Sequence, residues 1–162
     1  MGHERLQLDG TSWVDVHRNW VEPDLAAELL AAITADGTGL RWQTSKRYRY
    51  DHWVEENRLA ATWRPGLPEP HEALPELHRR VRHLTGRPFE GPAFNLYRGA
   101  GDGQAFHRDR DLRWCEDTVI AILTLGAERP WLLRPRAARY DHDDARAEGS
   151  THDLRPGAGD LL

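Results

Sequence analysis

The sequence predicts an α+β fold in which two helices precede a series of short strands. Two segments in the first half carry apolar residues at helical spacing. The second half contains short apolar segments separated by glycine-rich or charged turns. Because several short strands at such spacing are typical of rolled or closed β structures, we expect a barrel or jelly-roll core. A length of 162 residues suits one core, so residues 1–162 are interpreted as a single domain.

Both helices are predicted from an apolar face and from the residues at their ends. Residues 23–36 begin with a proline, which suits the first turn of a helix, and Gly37 ends the pattern. Residues 72–85 carry apolar side chains at three- and four-residue spacing, and Gly86 stands where a C-terminal stop is expected. We expect both apolar faces to pack into the core, with His78 and His83 facing solvent.

Strands are predicted on both sides of the second helix. Residues 42–63 mix aromatic and basic side chains in a pattern closer to strand than to helix. Residues 64–75 contain four prolines and are therefore expected to form an irregular connector. After the second helix, strands are predicted over residues 93–98, 105–109, 118–125, 131–134 and 152–154 and from residue 160 onward. Residues 137–150 are expected to form a polar loop.

Composition and charge narrow the class of protein. Hydrophobic residues make up 39% and charged residues 30% of the chain, which suits a folded globular protein. The longest apolar run, residues 119–123, is too short to span a bilayer, so we expect a cytoplasmic protein without a membrane partner. The single cysteine, Cys115, cannot form an internal disulfide and fits a reducing compartment. A formal net charge of −4 means that any contact with nucleic acid is expected to be local.

The motif His107-Arg108-Asp109 carries the most specific chemistry in the chain. On an extended strand, alternate side chains share a face, so His107 and Asp109 would point the same way. A histidine and a carboxylate on one strand, joined by a second histidine from elsewhere, form the facial triad of non-haem iron(II) oxygenases. By itself this short motif is a weak signal, and a solvated, charged loop is the more common explanation.

Neighbouring segments strengthen the metal interpretation. The stretch NLYRGAGDGQAFHRDRD, followed by TVIAILTLG and LRPGAGDLL, resembles the AlkB-like branch of the iron(II)- and 2-oxoglutarate-dependent oxygenases. In that family an Asn-x-Tyr strand precedes the His-x-Asp motif by about a dozen residues, and an apolar strand follows. The positions in register are Asn95, Tyr97, Gly101, Asp102, His107, Asp109, Leu125 and Gly126, with Thr124 where serine is usual. The resemblance spans residues 41–162 and is strongest over residues 93–135.

The resemblance implies a double-stranded β-helix, or jelly-roll, core with the N-terminal helices packed on it, and it assigns roles to individual residues. His107 and Asp109 would be iron ligands, and Asn95 and Tyr97 would hold the carboxylates of 2-oxoglutarate. Asp111 would contact a flipped base, with the rim of a charged loop as the alternative. Arg58 and Trp63 would lie on the substrate side, although Trp63 is equally well interpreted as a core residue.

The reaction that the resemblance implies is the hydroxylation of an alkyl carbon. Iron(II) would use molecular oxygen and 2-oxoglutarate, which becomes succinate, to oxidise a nearby C–H bond. If that carbon is attached to a base nitrogen, the hydroxylated product falls apart and the alkyl group leaves as an aldehyde. The expected substrate is therefore an N-alkylated nucleobase in DNA or RNA, which in a duplex must be flipped out. The alternatives are hydroxylation of a small molecule or a protein, and a non-catalytic jelly-roll binding module.

The sequence also departs from the family pattern. The second iron-binding histidine and the arginine for 2-oxoglutarate would follow the GDLL segment, and so are expected beyond Leu162. We therefore expect that the C-terminal strands of the domain lie outside this sequence. DNA-repairing members have a longer lid than residues 64–75 provide, but the basic and aromatic residues 46–53 could contact phosphates locally.

Overall fold

The computed structural model describes residues 2–8, 10, 12–49, 51–107, 118–134 and 151–162. These residues form an α+β structure with two helices and small antiparallel sheets. In chain order the elements are β1 (Gly2–Gln7), β2 (Trp13–Arg18), α1 (Pro23–Thr34), β3 (Gln43–Arg49), β4 (His52–Thr62), α2 (Leu74–Thr85), β5 (Ala93–Leu96), β6 (Leu132–Leu133) and β7 (His152–Asp153).

The chain divides into two compact units. One is formed by Met1–Ala31 with Ile120–Leu162, and the other by Ala32–Val119. Within the described ranges the strands form one three-stranded and two two-stranded sheets, and none of these closes into a jelly roll. The α+β class is therefore observed, whereas the jelly-roll core and the single domain stay predictions. No helix in the described part of the chain is long and apolar enough to cross a membrane.

The first unit begins with a β-hairpin that the sequence analysis did not predict. β1 and β2 pair antiparallel, with Arg5 directly opposite Asp15. The Arg5 Nε and Nη2 atoms each donate a 2.6 Å hydrogen bond to the Asp15 carboxylate, and these bonds lower the pKa of Asp15 to about 2. The side chain of Val16, on β2, is fully buried, and α1 contributes Ala26 and Leu29 to the core of the same unit.

The last three residues of the chain complete the first unit. The backbone of Leu161 exchanges hydrogen bonds of 2.8 and 3.0 Å with His17 on β2. On its other side Leu161 bridges Leu123, and the Leu162 and Ile122 backbones exchange bonds of 2.9 and 2.8 Å. Of the strand predicted over residues 118–125, only residues 122–124 therefore pair with another described segment. Residues 118–121 have no strand partner within the described part of the chain.

The second unit contains α2 and a three-stranded sheet of order β3-β4-β5. Its buried apolar side chains include Ala61 and Trp63 from the sheet side and Leu74 and Leu77 from α2. The helix ends as predicted at Gly86, which adopts φ 66° and donates its backbone N–H to the carbonyl of Arg82. These observations confirm α2, β3, β4 and β5. The connector predicted over residues 64–75 is irregular only over residues 64–73, because Leu74 and Pro75 belong to α2.

Two local expectations are wrong. His78 was expected to face solvent, but its Nε2 atom donates a 2.9 Å hydrogen bond to the Phe89 carbonyl, so the ring ties α2 to the segment that follows it. Residues 105–107 do not lie in a strand, because the chain bends at Phe106 and the His107 ring bonds back to the carbonyl of Ala105. The remainder of the predicted strand, residues 108 and 109, lies outside the described residues.

Candidate functional site

Three of the predicted site residues lie on one face of the β3-β4-β5 sheet. β4 and β5 are antiparallel, with Ala60 opposite Asn95 and Leu59 opposite Leu96. Because opposite residues share a face and alternate residues return to it, Arg58, Asn95 and Tyr97 belong to the same side. The contact confirms this register, since the Arg58 Nη1 atom lies 3.4 Å from the Tyr97 hydroxyl. We call this side the polar face of the sheet.

Glu56 connects the side chains of the polar face. Its Oε2 atom accepts hydrogen bonds from Arg58 Nε at 3.2 Å and Arg58 Nη2 at 2.9 Å. The same oxygen accepts a 2.8 Å bond from the Ser45 hydroxyl, and Oε1 accepts a 3.0 Å bond from Gln104 Nε2. Carboxylate and guanidinium therefore neutralise each other, and the paired guanidinium keeps Nη1 turned towards Tyr97. The sequence analysis missed Glu56, Ser45 and Gln104, and the only local signal was the two-residue spacing of Glu56 and Arg58 on one strand.

The turn after Tyr97 folds back onto β4. Arg98 donates from its backbone N–H, Nε and Nη2 to the carboxylate of Asp102, at 2.8, 2.8 and 3.0 Å. The backbone N–H of Gly103 then donates a 3.0 Å bond to the carbonyl of Asn57. The glycine-containing turn therefore runs beside β4, and a shallow cleft of about 200 Å³ lies between them, lined by Val54, Glu55, Glu56, Asn57, Gly103, Gln104 and Ala105.

His107 follows this cleft. Gln104, which touches Glu56, is three residues earlier, so the two Cα atoms are at most about 11 Å apart. The His107 ring is exposed, and its Nδ1 atom donates a 3.0 Å hydrogen bond to the Ala105 carbonyl. Because a carbonyl can only accept, the neutral ring then carries its lone pair on Nε2, which is the form that binds metals. Asp109 and Asp111 lie outside the described residues.

The described residues alone do not assemble a metal centre. Within the ranges that the structure describes, no three His, Cys, Asp or Glu side chains converge closely enough to hold a metal ion. Of the predicted ligand set only His107 falls in those ranges. The chemistry of its ring suits iron(II), and the assignment of Asp109 and of a second histidine stays a prediction.

Trp63 lies away from the polar face. It follows the end of β4 two residues after Ala61 and therefore lies on the same side as Ala61, opposite to Arg58. Its side chain is only 2% exposed. Its backbone N–H donates to the Pro92 carbonyl at 3.2 Å, and its indole packs edge-on against His78 at a centroid distance of 6.4 Å. The structure therefore does not bring Trp63 together with Arg58 and Tyr97, and the substrate role of Trp63 stays a prediction.

The predicted basic and aromatic patch over residues 46–53 is described only in part. Lys46 forms an exposed ion pair of 3.1 Å with Glu55 on β4, which neutralises its charge. Trp53 has 67% of its surface exposed. An exposed indole is compatible with stacking on a base, but an ion-paired lysine is a weak phosphate ligand, so this segment does not form a strongly cationic surface through Lys46.

Comparison with known proteins yields one informative relative. No protein-family model matches the sequence. The human alpha-ketoglutarate-dependent dioxygenase alkB homolog 3 is 27% identical over 151 residues, which cover 86% of this chain and 51% of that protein. The chain thus spans about half the length of the curated relative it matches. This distant similarity supports the AlkB-like resemblance and suggests the class of 2-oxoglutarate-dependent dioxygenases.

Proposed function

We propose that this chain is part of an iron(II)- and 2-oxoglutarate-dependent dioxygenase that removes alkyl groups from N-alkylated nucleobases. The observation that carries the proposal is the similarity to a human dioxygenase of the AlkB type over most of the chain. The order of the motifs supports it, because Asn95, Tyr97 and His107 follow each other in the family's spacing.

The polar face supports the binding of 2-oxoglutarate. In the proposal, the amide of Asn95 and the hydroxyl of Tyr97 donate hydrogen bonds to its carboxylates. Tyr97 is held in place by the guanidinium of Arg58, which is itself held by Glu56. The phenol therefore has a restricted orientation before a ligand arrives, which lowers the entropic cost of binding.

His107 and Asp109 would hold iron(II) in the proposed enzyme. With molecular oxygen and 2-oxoglutarate, the bound metal would supply the oxidation of an alkyl C–H bond. The bond from His107 Nδ1 to the Ala105 carbonyl orients the ring and keeps the lone pair on Nε2. Asp111 would contact the flipped base, and Arg58 would border the substrate side of the same sheet face.

The metal and cosubstrate assignments are tested by succinate release. The protein with ferrous iron and 2-oxoglutarate is expected to form succinate, and His107→Ala or Asp109→Ala should abolish this together with stoichiometric iron binding. His3→Ala is the matched control, because it removes an exposed imidazole from the β1-β2 hairpin and should leave both unchanged. Full succinate formation in the His107 and Asp109 variants would refute the ligand assignment.

The substrate assignment is tested separately with oligonucleotides that carry 1-methyladenine or 3-methylcytosine. We expect them to stimulate succinate formation and to lose the methyl group, as measured by mass spectrometry. Robust succinate formation without demethylation would favour a small-molecule or protein substrate. The absence of both succinate formation and iron binding would identify a non-catalytic binding module.

A further inference from the structure

The C-terminal end of α2 carries an excess of positive charge in a chain that is acidic as a whole. Residues 74–88 contain four arginines and one glutamate, whereas the entire chain has a formal net charge of −4. Three of these arginines, together with His83, line an open cleft of about 650 Å³ between the last turns of the helix and the segment that follows; the lining residues are Arg79, Arg82, His83, Gly86, Arg87 and Pro88. We call this surface the α2 basic cleft.

The geometry of α2 directs these cations to solvent. Leu74 and Leu77 are buried, and His78 contacts Trp63 and Phe89. Arg79 and Arg82 are three residues apart on the outer side, where side chains at this spacing are neighbours. Arg79 retains 69% of its side-chain surface exposed even though it pairs with Glu76.

The backbone around the cleft is held in one conformation. Gly86 closes the helix in the left-handed region at φ 66°, with its N–H bonded to the Arg82 carbonyl. The Thr85 hydroxyl donates to the Val81 carbonyl at 2.8 Å and accepts from the backbone N–H of Arg87 at 3.2 Å. Arg87 is therefore turned back beside the helix end instead of leading away from it, and the cleft exists before any ligand binds.

The helix dipole explains only part of this charge. Cations in the last turn of a helix interact favourably with the roughly half negative charge at its C-terminus. Arg82 and His83 occupy that turn, but Arg79 lies a turn earlier and Arg87 lies beyond the helix. The charge of Arg79 is offset by its ion pair with Glu76, but the guanidinium groups of Arg82 and Arg87 together still exceed the half charge of the dipole, so the surface attracts anions.

We propose that the α2 basic cleft binds the phosphate backbone of nucleic acid. Arginine forks match phosphate oxygens in a bidentate manner, and several arginines in a row suit a polyanion better than a single phosphate. Among the described residues that line the cleft, His83 alone carries an aromatic ring, so these residues offer bases little surface on which to stack. Binding is therefore expected to depend on salt and to be independent of base sequence. Naming nucleic acid as the ligand rests on the proposed function.

The test is the affinity for an unmodified, fluorescently labelled oligothymidine, measured by anisotropy at several salt concentrations. Arg82→Ala is expected to weaken binding about fivefold and to reduce the slope of log Kd against log salt by about 1. The triple variant R79A/R82A/R87A should weaken binding by more than about tenfold. Arg41→Ala removes the same charge from an exposed position before β3 and should leave affinity and slope unchanged.

The outcomes separate this inference from the proposed function. If the wild-type protein does not bind the oligonucleotide, or if Arg41→Ala and Arg82→Ala weaken binding equally, the cleft is not a nucleic-acid site. Binding to anionic phospholipid vesicles, lost in the triple variant while oligonucleotide binding persists, would identify a membrane surface instead. Turnover of a free methylated nucleoside, which has no phosphate backbone, should be unchanged in Arg82→Ala. If no protein, including the wild type, shows turnover, the dioxygenase function is refuted. If the arginine variants nevertheless lose oligonucleotide binding as predicted, the binding site is still supported.

Discussion

The carboxylate of Glu56 and the guanidinium of Arg58 form a paired unit on β4 whose side chains are only 12% and 14% exposed. Their contact is reinforced by Ser45, Gln104 and Tyr97, so neither charge is left without a partner. Water is largely excluded from this pair. Removing one partner would therefore leave the other charge buried and uncompensated, which is strongly destabilising.

Glu56→Gln is therefore expected to destabilise the fold by about 3 kcal/mol, since it leaves the Arg58 charge unpaired. The free energy of unfolding is measured by urea denaturation. Glu55→Gln, on the neighbouring position, changes an exposed pair with Lys46 and should cost less than about 1 kcal/mol. In the proposed enzyme, Glu56→Gln should also raise the KM for 2-oxoglutarate more than it lowers kcat, because Arg58 would release Tyr97. Equal losses of stability in the two variants would contradict the network.

Substitutions of Trp63 can distinguish a role in the core from a role in substrate binding. As a core residue, Trp63→Ala should cost about 3–5 kcal/mol of unfolding free energy. Trp63→Phe should cost less, because the indole Nε1 has no hydrogen-bond partner within the described part of the chain. Trp53→Phe changes a mostly exposed indole and should alter stability by less than about 0.5 kcal/mol. A Trp63→Phe protein of wild-type stability with a raised KM for a methylated oligonucleotide would favour the substrate role.

The hydrogen bonds of the Asp160 carboxylate are expected to make the stability of the first unit sensitive to acid. The carboxylate is 4% exposed and accepts hydrogen bonds from the backbone N–H groups of Asn19 and Gly157, both at 2.9 Å, and from Arg18 Nη1 at 2.6 Å. Burial raises the pKa of Asp160, but these bonds outweigh it, so the pKa lies below its ordinary value of 3.8. The stabilisation is therefore complete above pH 3.8 and is lost as the pH falls through the lower folded-state pKa.

Asp160→Asn should consequently lower the unfolding free energy by about 2 kcal/mol at neutral pH. The difference from the wild-type protein should shrink as the pH falls below 3.8 towards the lowered folded-state pKa, at which the wild-type carboxylate becomes protonated. Thermal unfolding followed at several pH values measures both effects. Asp153→Asn removes a more exposed carboxylate that pairs with Arg155, and should have a small effect at every pH. A difference between wild type and Asp160→Asn that does not depend on pH would refute the role of the charge.

Any side chain added at Gly159, next to Asp160, is expected to clash with the neighbouring backbone. Its φ of 84° disfavours any side chain, and an added Cβ would lie far inside van der Waals contact with the Val21 carbonyl oxygen. Gly159→Ala is expected to cost about 3 kcal/mol of unfolding free energy. The matched control is Gly157→Ala, whose Cβ would meet Asp160 only at an ordinary 3.7 Å. Comparable unfolding temperatures for the two variants would show that the Gly159 segment can relax.

The helices were predictable because their signals are local. The apolar spacing, the proline at the start of α1 and the glycine after α2 act within one or two turns, and the structure ends α2 at the predicted residue. The β1-β2 hairpin was missed, since its stability comes from cross-strand partners such as Arg5 and Asp15 that are ten residues apart. The strand expected at residue 105 was wrong because the His107 ring takes the Ala105 carbonyl that a neighbouring strand would have used.

For the candidate site, too, local sequence signals could be predicted, whereas contacts between distant segments could not. Asn95, Tyr97, His107 and Asp109 were predicted from the sequence because their residue types and spacing carry the resemblance to AlkB-like oxygenases. Other relationships needed the structure: Arg58 touches Tyr97, and Glu56 binds Arg58 while accepting hydrogen bonds from Ser45 and Gln104. These contacts, and the burial of Trp63, depend on the register of β4 with β5 and on the turn that returns Gly103 to Asn57. A shift of one residue would exchange the two faces of the sheet, so these relationships arise only when distant segments pair in the folded chain.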